Sequence, residues 1–197
     1  MASETAPGPL AQDQYEVRFD WGMPGAASVV PGTGVIVLVD PLATATPMVE
    51  TGSSADLPAA LGTFGIPVLE GSLRNRTAVA QWILDRQTRL GTRIRVAVIA
   101  AGATRADGSI RFSVEDQLTA GAVVDALAVV GIDYCSPEAA AACAVFTTLQ
   151  RAADHLFTAS ASGQELIAGG ARAEVERAAE LDVSDAVVVL GELASSS

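Results

Sequence analysis

The chain contains no lysine: all 12 of its basic side chains are arginine. Schiff-base chemistry and a P-loop lysine are thereby excluded, and any anion site must use guanidinium groups or backbone N–H groups. Histidine is nearly absent, with His155 alone, and cysteine is limited to Cys135 and Cys143. A structural zinc site normally takes four Cys or His ligands, so none can be assembled here without carboxylates. The two thiols border an alanine-rich stretch and read as buried groups on a helix in a reducing compartment. No apolar run reaches the roughly 18 residues that span a bilayer, because Asp85, Asp125 and Gln150 interrupt them. Met1 to Gln14 has neither a basic residue nor an apolar run, so it does not read as a signal peptide. The expectation is a cytoplasmic protein with no membrane partner.

Positive charge is scarce too. Against 23 acidic residues the arginines leave a net charge of −11, which argues against a nucleic-acid backbone as partner. What the 197 residues do supply is apolar surface, at 50% of the chain. That suits one compact domain with a sizeable core. Residues 1–14, with Pro7, Gly8 and Pro9, read as a flexible N-terminal tail, and 15–197 as a single domain.

Two continuous apolar runs, Val35 to Asp40 and Val96 to Ala100, fit central strands covered on both faces. Tyr15 to Asp20 alternates like an edge strand, and Val68 to Glu70 and Ala186 to Leu190 are further short strands. Helices are expected over Asn75 to Leu90, stopped by Gly91, and from Ser113, with Asp116 as capping-box partner, to Gly131. Another starts at Ser136 with Pro137 at the first helical position, a shorter one at Ser162 with Glu165, and a last one spans Ala171 to Leu181. Pro41 to Pro67 reads as loop with one short helix near Asp56 to Gly62. The pattern predicts an α/β fold, a layered sheet with helices on both faces, and a helix-rich C-terminal third.

Three places could carry chemistry. Asp40 terminates the most strand-like run, where α/β sheets bind ligands and where a hard oxygen can hold Mg²⁺; the alternative is an Asx turn before Pro41. In Glu70 to Arg76, Ser72 and the helix-start N–H groups could cradle an anion, with Arg74 or Arg76 as a guanidinium fork. The other reading there is an ordinary cap with solvated arginines. Glu115 and Asp116 lie at a helix start, where the macrodipole alone would favour them. Gly121, inside the same helix, signals close approach of a neighbouring element. Gly102 and Gly108 flank a turn from which Thr104 and Arg105 could reach the same edge.

The segments GSLRNRTAVA, VIAAGAT, FSVEDQLTAGAVVDAL and LDVSDAVVVL, between Gly71 and Leu190, follow one another in an order that resembles the 2-phosphosulpholactate phosphatase family. The chain is similar to a shortened, divergent member. Members are Mg²⁺-dependent phosphatases of coenzyme M biosynthesis. The resemblance implies Asp40, Glu115 and Asp116 as catalytic groups, with Asp40 and Glu115 toward the metal. It implies Ser72, Arg74, Asn75 and Gly121 as substrate-binding residues and a small phosphorylated metabolite as partner, and leaves a homo-oligomer open. Where the family has an arginine after its strand-end aspartate, this chain has Ala43. The loop usual between that aspartate and the Gly-Ser segment is missing. Those departures keep a second reading in view, a catalytically impaired homologue that binds a small anionic metabolite or a protein.

Overall fold

The computed structural model describes residues 8–43 and 57–191. Four parallel strands form the sheet: β1 (Val17–Trp21), β2 (Val35–Val39), β3 (Val68–Gly71) and β4 (Val96–Ala100). They lie in the order β1-β4-β2-β3, and a short antiparallel strand, β7 (Val189–Gly191), extends the β3 edge. A two-stranded hairpin, β5 (Ala103–Thr104) and β6 (Ile110–Arg111), follows β4. The expected α/β sheet with helices on both faces is present.

Strand periodicity explains the layers. Along β2, Val35, Val37 and Val39 face a core shared with Val79 and Ile83 of α3 (Arg76–Leu90), Val123 and Leu127 of α4 (Val114–Val129) and Ala139 of α5 (Pro137–Leu149). The alternate Ile36 and Leu38 face Ala26 and Val29 of α1 (Gly22–Val29) and Leu61 of α2 (Leu57–Gly62). Both faces of β2 are covered, which is why its sequence is apolar throughout. The next described helix after β2 therefore lies on one side and the helix after β4 on the other. The crevice between the carboxyl ends of these adjacent strands is a topological switch point, where α/β sheets open to ligands. Beyond that edge, α6 (Ala153–Ala159), α7 (Ala161–Ala168) and α8 (Arg172–Ala178) form a helical annex, its core built from Leu118, Phe146, Phe157 and Val175. Among the described residues no helix is long and apolar enough to cross a membrane.

Several boundaries differ from the sequence reading for tertiary reasons. Helix α1 has no counterpart in that reading because Gly22, Pro24 and Gly25 suggest a loop, yet proline in a first turn costs a helix little. The last strand starts at Val189, later than the expected Ala186: the Ala186 carbonyl accepts from Asn75 Nδ2, while the Val188 carbonyl still accepts from Glu70 N of β3, where the pairing is irregular. Helix α7 is capped by Ser160, whose Oγ accepts from Gly163 N at 3.0 Å, and not by Ser162. The cap at Ser136 is as expected. Only Cys143 is helical, since Cys135 precedes α5 beside the β1 edge. Both thiols are free and half-buried, and burial pushes Cys135 up to about 11, so neither is a ready nucleophile. Thr44, Thr46 and Asp56, at the loop and helix expected over 41–67, lie outside the described residues.

The segment read as a tail is fastened from Pro9 onward. A 3₁₀ turn, Pro9–Ala11, leads into Gln12, whose side chain accepts from Phe19 N and donates to Phe19 O, both at 3.0 Å. Arg18 completes this corner at 1% exposure, donating to the carbonyls of Tyr15, Val29, Pro31 and Asp13. Arg18→Met keeps the stem's packing but orphans those carbonyls, and a loss of about 3 kcal/mol or more is expected in urea denaturation.

Candidate active site

Three carboxylates stand near the switch point, close enough for their charges to act on one another. Asp40 follows directly on β2, while Glu115 and Asp116 stand in the first turn of α4, reached from β4 through the hairpin. Asp116 Oδ2 accepts from Gly102 N at 2.6 Å. Gly102 must be glycine, because it has φ +68 and a Cβ there would lie 2.9 Å from the Arg111 carbonyl oxygen. The expected capping box is therefore not formed: Asp116 bonds across to the β4 end, and the Ser113 side chain makes no cap bond.

The electrostatics follow from burial and proximity. Burial, then the charges of Glu115 and Glu70, push Asp40 up to about 6. Burial and the Asp40 charge hold Asp116 well above the usual carboxylate range, with the Gly102 N–H pulling the other way. Glu115 is 3% exposed, and among the described residues nothing donates a hydrogen bond to its carboxylate. Glu70 is an acid that the sequence pattern does not single out. Its signal is slight, an exposed acid in a strand one position from its end.

The expected anion cradle at the start of α3 has a different occupant. Asp182 Oδ1 accepts from Thr77 N at 3.2 Å and its Oδ2 takes Arg76 Nε at 2.9 Å, so the chain places its own carboxylate at this helix N-terminus. Arg76 also pairs with Asp125 at 2.7 Å and lies over the Phe146 ring. Arg74 pairs with Glu180 at 3.4 Å, and Arg105 donates to Ser109 Oγ and the Ile110 carbonyl. Asn75 Oδ1 accepts from Ser72 N and Ser72 Oγ, and its Nδ2 donates to the Glu70 and Ala186 carbonyls. Instead of free substrate contacts, Arg74, Arg76, Asn75 and Arg105 have partners inside the chain. Ser72 is held by Asn75 just past Gly71, which pairs with Val39, and so stands one strand from Asp40.

Gly121 belongs to a different place. A Cβ on it would overlap the Ala142 carbonyl oxygen and come within 2.8 Å of Phe146 Cβ. It lies at the close α4–α5 crossing, the approach of a neighbouring element that an interior glycine signals. Among the described residues, Arg111 at the end of the hairpin carries a guanidinium with no hydrogen-bond or ion-pair partner.

The family model for 2-phosphosulpholactate phosphatase matches residues 65–192. The chain belongs to that family. No curated protein matches it. The match takes in the 2-phosphosulpholactate phosphatase segments that hold Ser72, Asn75, Glu115 and Asp116, and it begins after Asp40. Asp40 enters the site through the fold, which sets the end of β2 beside the β4 end and the first turn of α4.

Proposed function

We propose that this phosphatase-family chain hydrolyses a small phosphate monoester, 2-phosphosulpholactate or a similar phosphorylated hydroxy acid, with Mg²⁺ held by Asp40 and Glu115. The observation that carries this reading is the gathering of Asp40, Glu115 and Asp116 in one crevice, close enough for their charges to raise Asp40 and Asp116. Hard oxygens suit Mg²⁺, which commonly takes one or two carboxylates and completes its shell with water and substrate phosphate. Among the described residues no three His, Cys, Asp or Glu side chains are grouped so as to hold a metal ion together, so the ion would rest on the Asp40 and Glu115 carboxylates, water and the substrate phosphate. When bound, the ion would polarise the phosphoryl oxygens and offset their charge.

The chain's own groups supply the rest. Gly102 N–H fixes Asp116 Oδ2, leaving Oδ1 to accept a hydrogen bond from the attacking water and orient it. Asn75 positions Ser72 as a polar group at the edge of the β3 end. Arg111, on the hairpin, is the guanidinium available to the substrate's anionic groups where Ala43 replaces the family's arginine.

Phosphate release from 2-phosphosulpholactate and from an aryl phosphate, with and without Mg²⁺, tests the reading beside Glu115→Gln. Mg²⁺-dependent turnover reduced at least about 100-fold by the substitution is expected. Turnover that survives Glu115→Gln would remove Glu115 from the site. The internal pairing of Arg74, Arg76 and Arg105 favours the second reading, an impaired homologue that binds a small anionic metabolite. Folded protein with no turnover on either ester would select it.

A further inference from the structure

The end of the sheet opposite the carboxylates holds a cavity of about 500 Å³, lined by Gln14, Glu16, Thr33, Arg93, Arg95 and Tyr134. Its walls come from the segments that enter β1, β2 and β4, together with the stretch preceding α5. That size falls within the range of small-molecule sites.

Charge is distributed unevenly toward this end. In a chain of net charge −11, residues 86–95 carry Arg86, Arg89, Arg93 and Arg95 and no acid. Helix α3 ends at Gly91, and the chain then crosses the amino edge into β4, which brings Arg93 and Arg95 to the cavity. Ile94 between them packs toward the core. Arg93 Nη1 pairs with Glu16 Oε2 at 3.3 Å, and Glu16 is 8% exposed, so these two charges offset each other. Arg95 has no such partner among the described residues. Its field reaches Arg18, where, after burial, it is the next cause that lowers the pKa. The backbone of the loop before β2 also comes close, since a Cβ on Gly32, at φ +77, would lie 4.0 Å from Arg95 Nη1. Among the described residues the Gln14 amide and the Tyr134 hydroxyl make no hydrogen bond either. The cavity is open to water and thus presents, on exposed residues, one guanidinium without a carboxylate partner and two further hydrogen-bonding groups.

We propose that this cavity is a second binding site, for a small organic or inorganic anion bearing a carboxylate or phosphate group, with Arg95 as the charge partner and Gln14 and Tyr134 as hydrogen-bonding groups. A guanidinium pairs with either anion through two parallel N–H donors. A ligand there would touch the segments leading into β1, β4 and β2, neighbours in the sheet, and so would stabilise the fold on binding. The site is separate from the carboxylate crevice, and its occupancy does not depend on catalysis.

Calorimetric titration of the full chain with succinate and, separately, inorganic phosphate tests this, using the wild type, Arg95→Gln and Asp40→Asn. Saturable binding of at least one anion at millimolar concentration is expected in the wild type and in Asp40→Asn, weakened at least about tenfold in Arg95→Gln. The two arms separate carboxylate from phosphoryl recognition. Circular dichroism and the urea midpoint of Arg95→Gln establish that it is folded. Absence of saturable binding by both anions overturns the proposal, as does wild-type affinity in a folded Arg95→Gln. Binding lost in Asp40→Asn but kept in Arg95→Gln overturns it as well, by locating the anion at the opposite edge.

Discussion

Asp40→Asn is expected to make the metal-free protein more stable at pH 8 while removing Mg²⁺-dependent phosphatase activity. In the folded chain Asp40 titrates at about 6, raised from 3.8 by burial and by Glu115 and Glu70. Between those values the folded state binds the proton more tightly than the unfolded state. Stability from this group is therefore greatest below about pH 4 and is lost as pH rises through 6. The rise from 3.8 to about 6 corresponds to about 3 kcal/mol as an upper figure, because the neighbouring acids share the effect. Asparagine keeps the shape and cannot ionise, so the variant lacks this pH dependence. In chelator at pH 8 its melting temperature should exceed that of the wild type by up to roughly 10 °C, with the two curves meeting near pH 4. Added Mg²⁺ should narrow the gap by stabilising the wild type and not the variant. A variant less stable than wild type by the same margin at both pH values would mean that the carboxylate serves packing or a hydrogen bond, and the site assignment would fail.

That conflict between charge and burial is partly visible in the sequence. Val35 to Asp40 is an apolar run ending in an acid, and a strand buried on both faces must deliver its last residue to the sheet edge. Glu115 and Asp116 are legible as acids in a first turn. Their burial is not, since the macrodipole alone gives such residues a reason to be there on the surface. What local spacing does not convey is competition from distant partners. Asp116 lies three residues after Ser113, the capping-box interval, yet the N–H that it accepts belongs to Gly102. Arg76 reads as free beside the Gly-Ser turn, but Asp182, 106 positions later, takes both its guanidinium and the neighbouring helix amide. Asn75 likewise has a partner 111 positions away. At the start of α3 the cause is the same for both: the C-terminal segment folds back over the helix and bonds groups that local spacing leaves free.

Gly121 distinguishes packing from ligand binding by a measurement of stability. It lies within α4, where glycine is about 1 kcal/mol less favourable than alanine, so a substitution judged by propensity alone would stabilise. The crossing reverses that sign. A Cβ would overlap the Ala142 carbonyl oxygen, lie 2.7 Å from the Ala142 carbonyl carbon and meet Phe146 Cβ. The first two are backbone and cannot rotate away, so α5 must move off α4. Ala139 and Ala142 are fully buried there, and separating the helices opens the contact along its length. Gly121→Ala should cost about 1–3 kcal/mol in urea denaturation despite the gain in propensity, and Gly121→Val more. Gly62, at the end of α2, is the control: a Cβ there would meet nothing within 4 Å, and its alanine variant should be neutral or slightly stabilising. The effect should also reach the chemistry, because Glu115 and Asp116 sit in the first turn of the same helix and their approach to Asp40 depends on where α4 is seated. A raised KM with unchanged stability would instead return Gly121 to the substrate-binding role that the family resemblance implies; loss of stability together with a fall in kcat is the outcome that the α4–α5 crossing dictates.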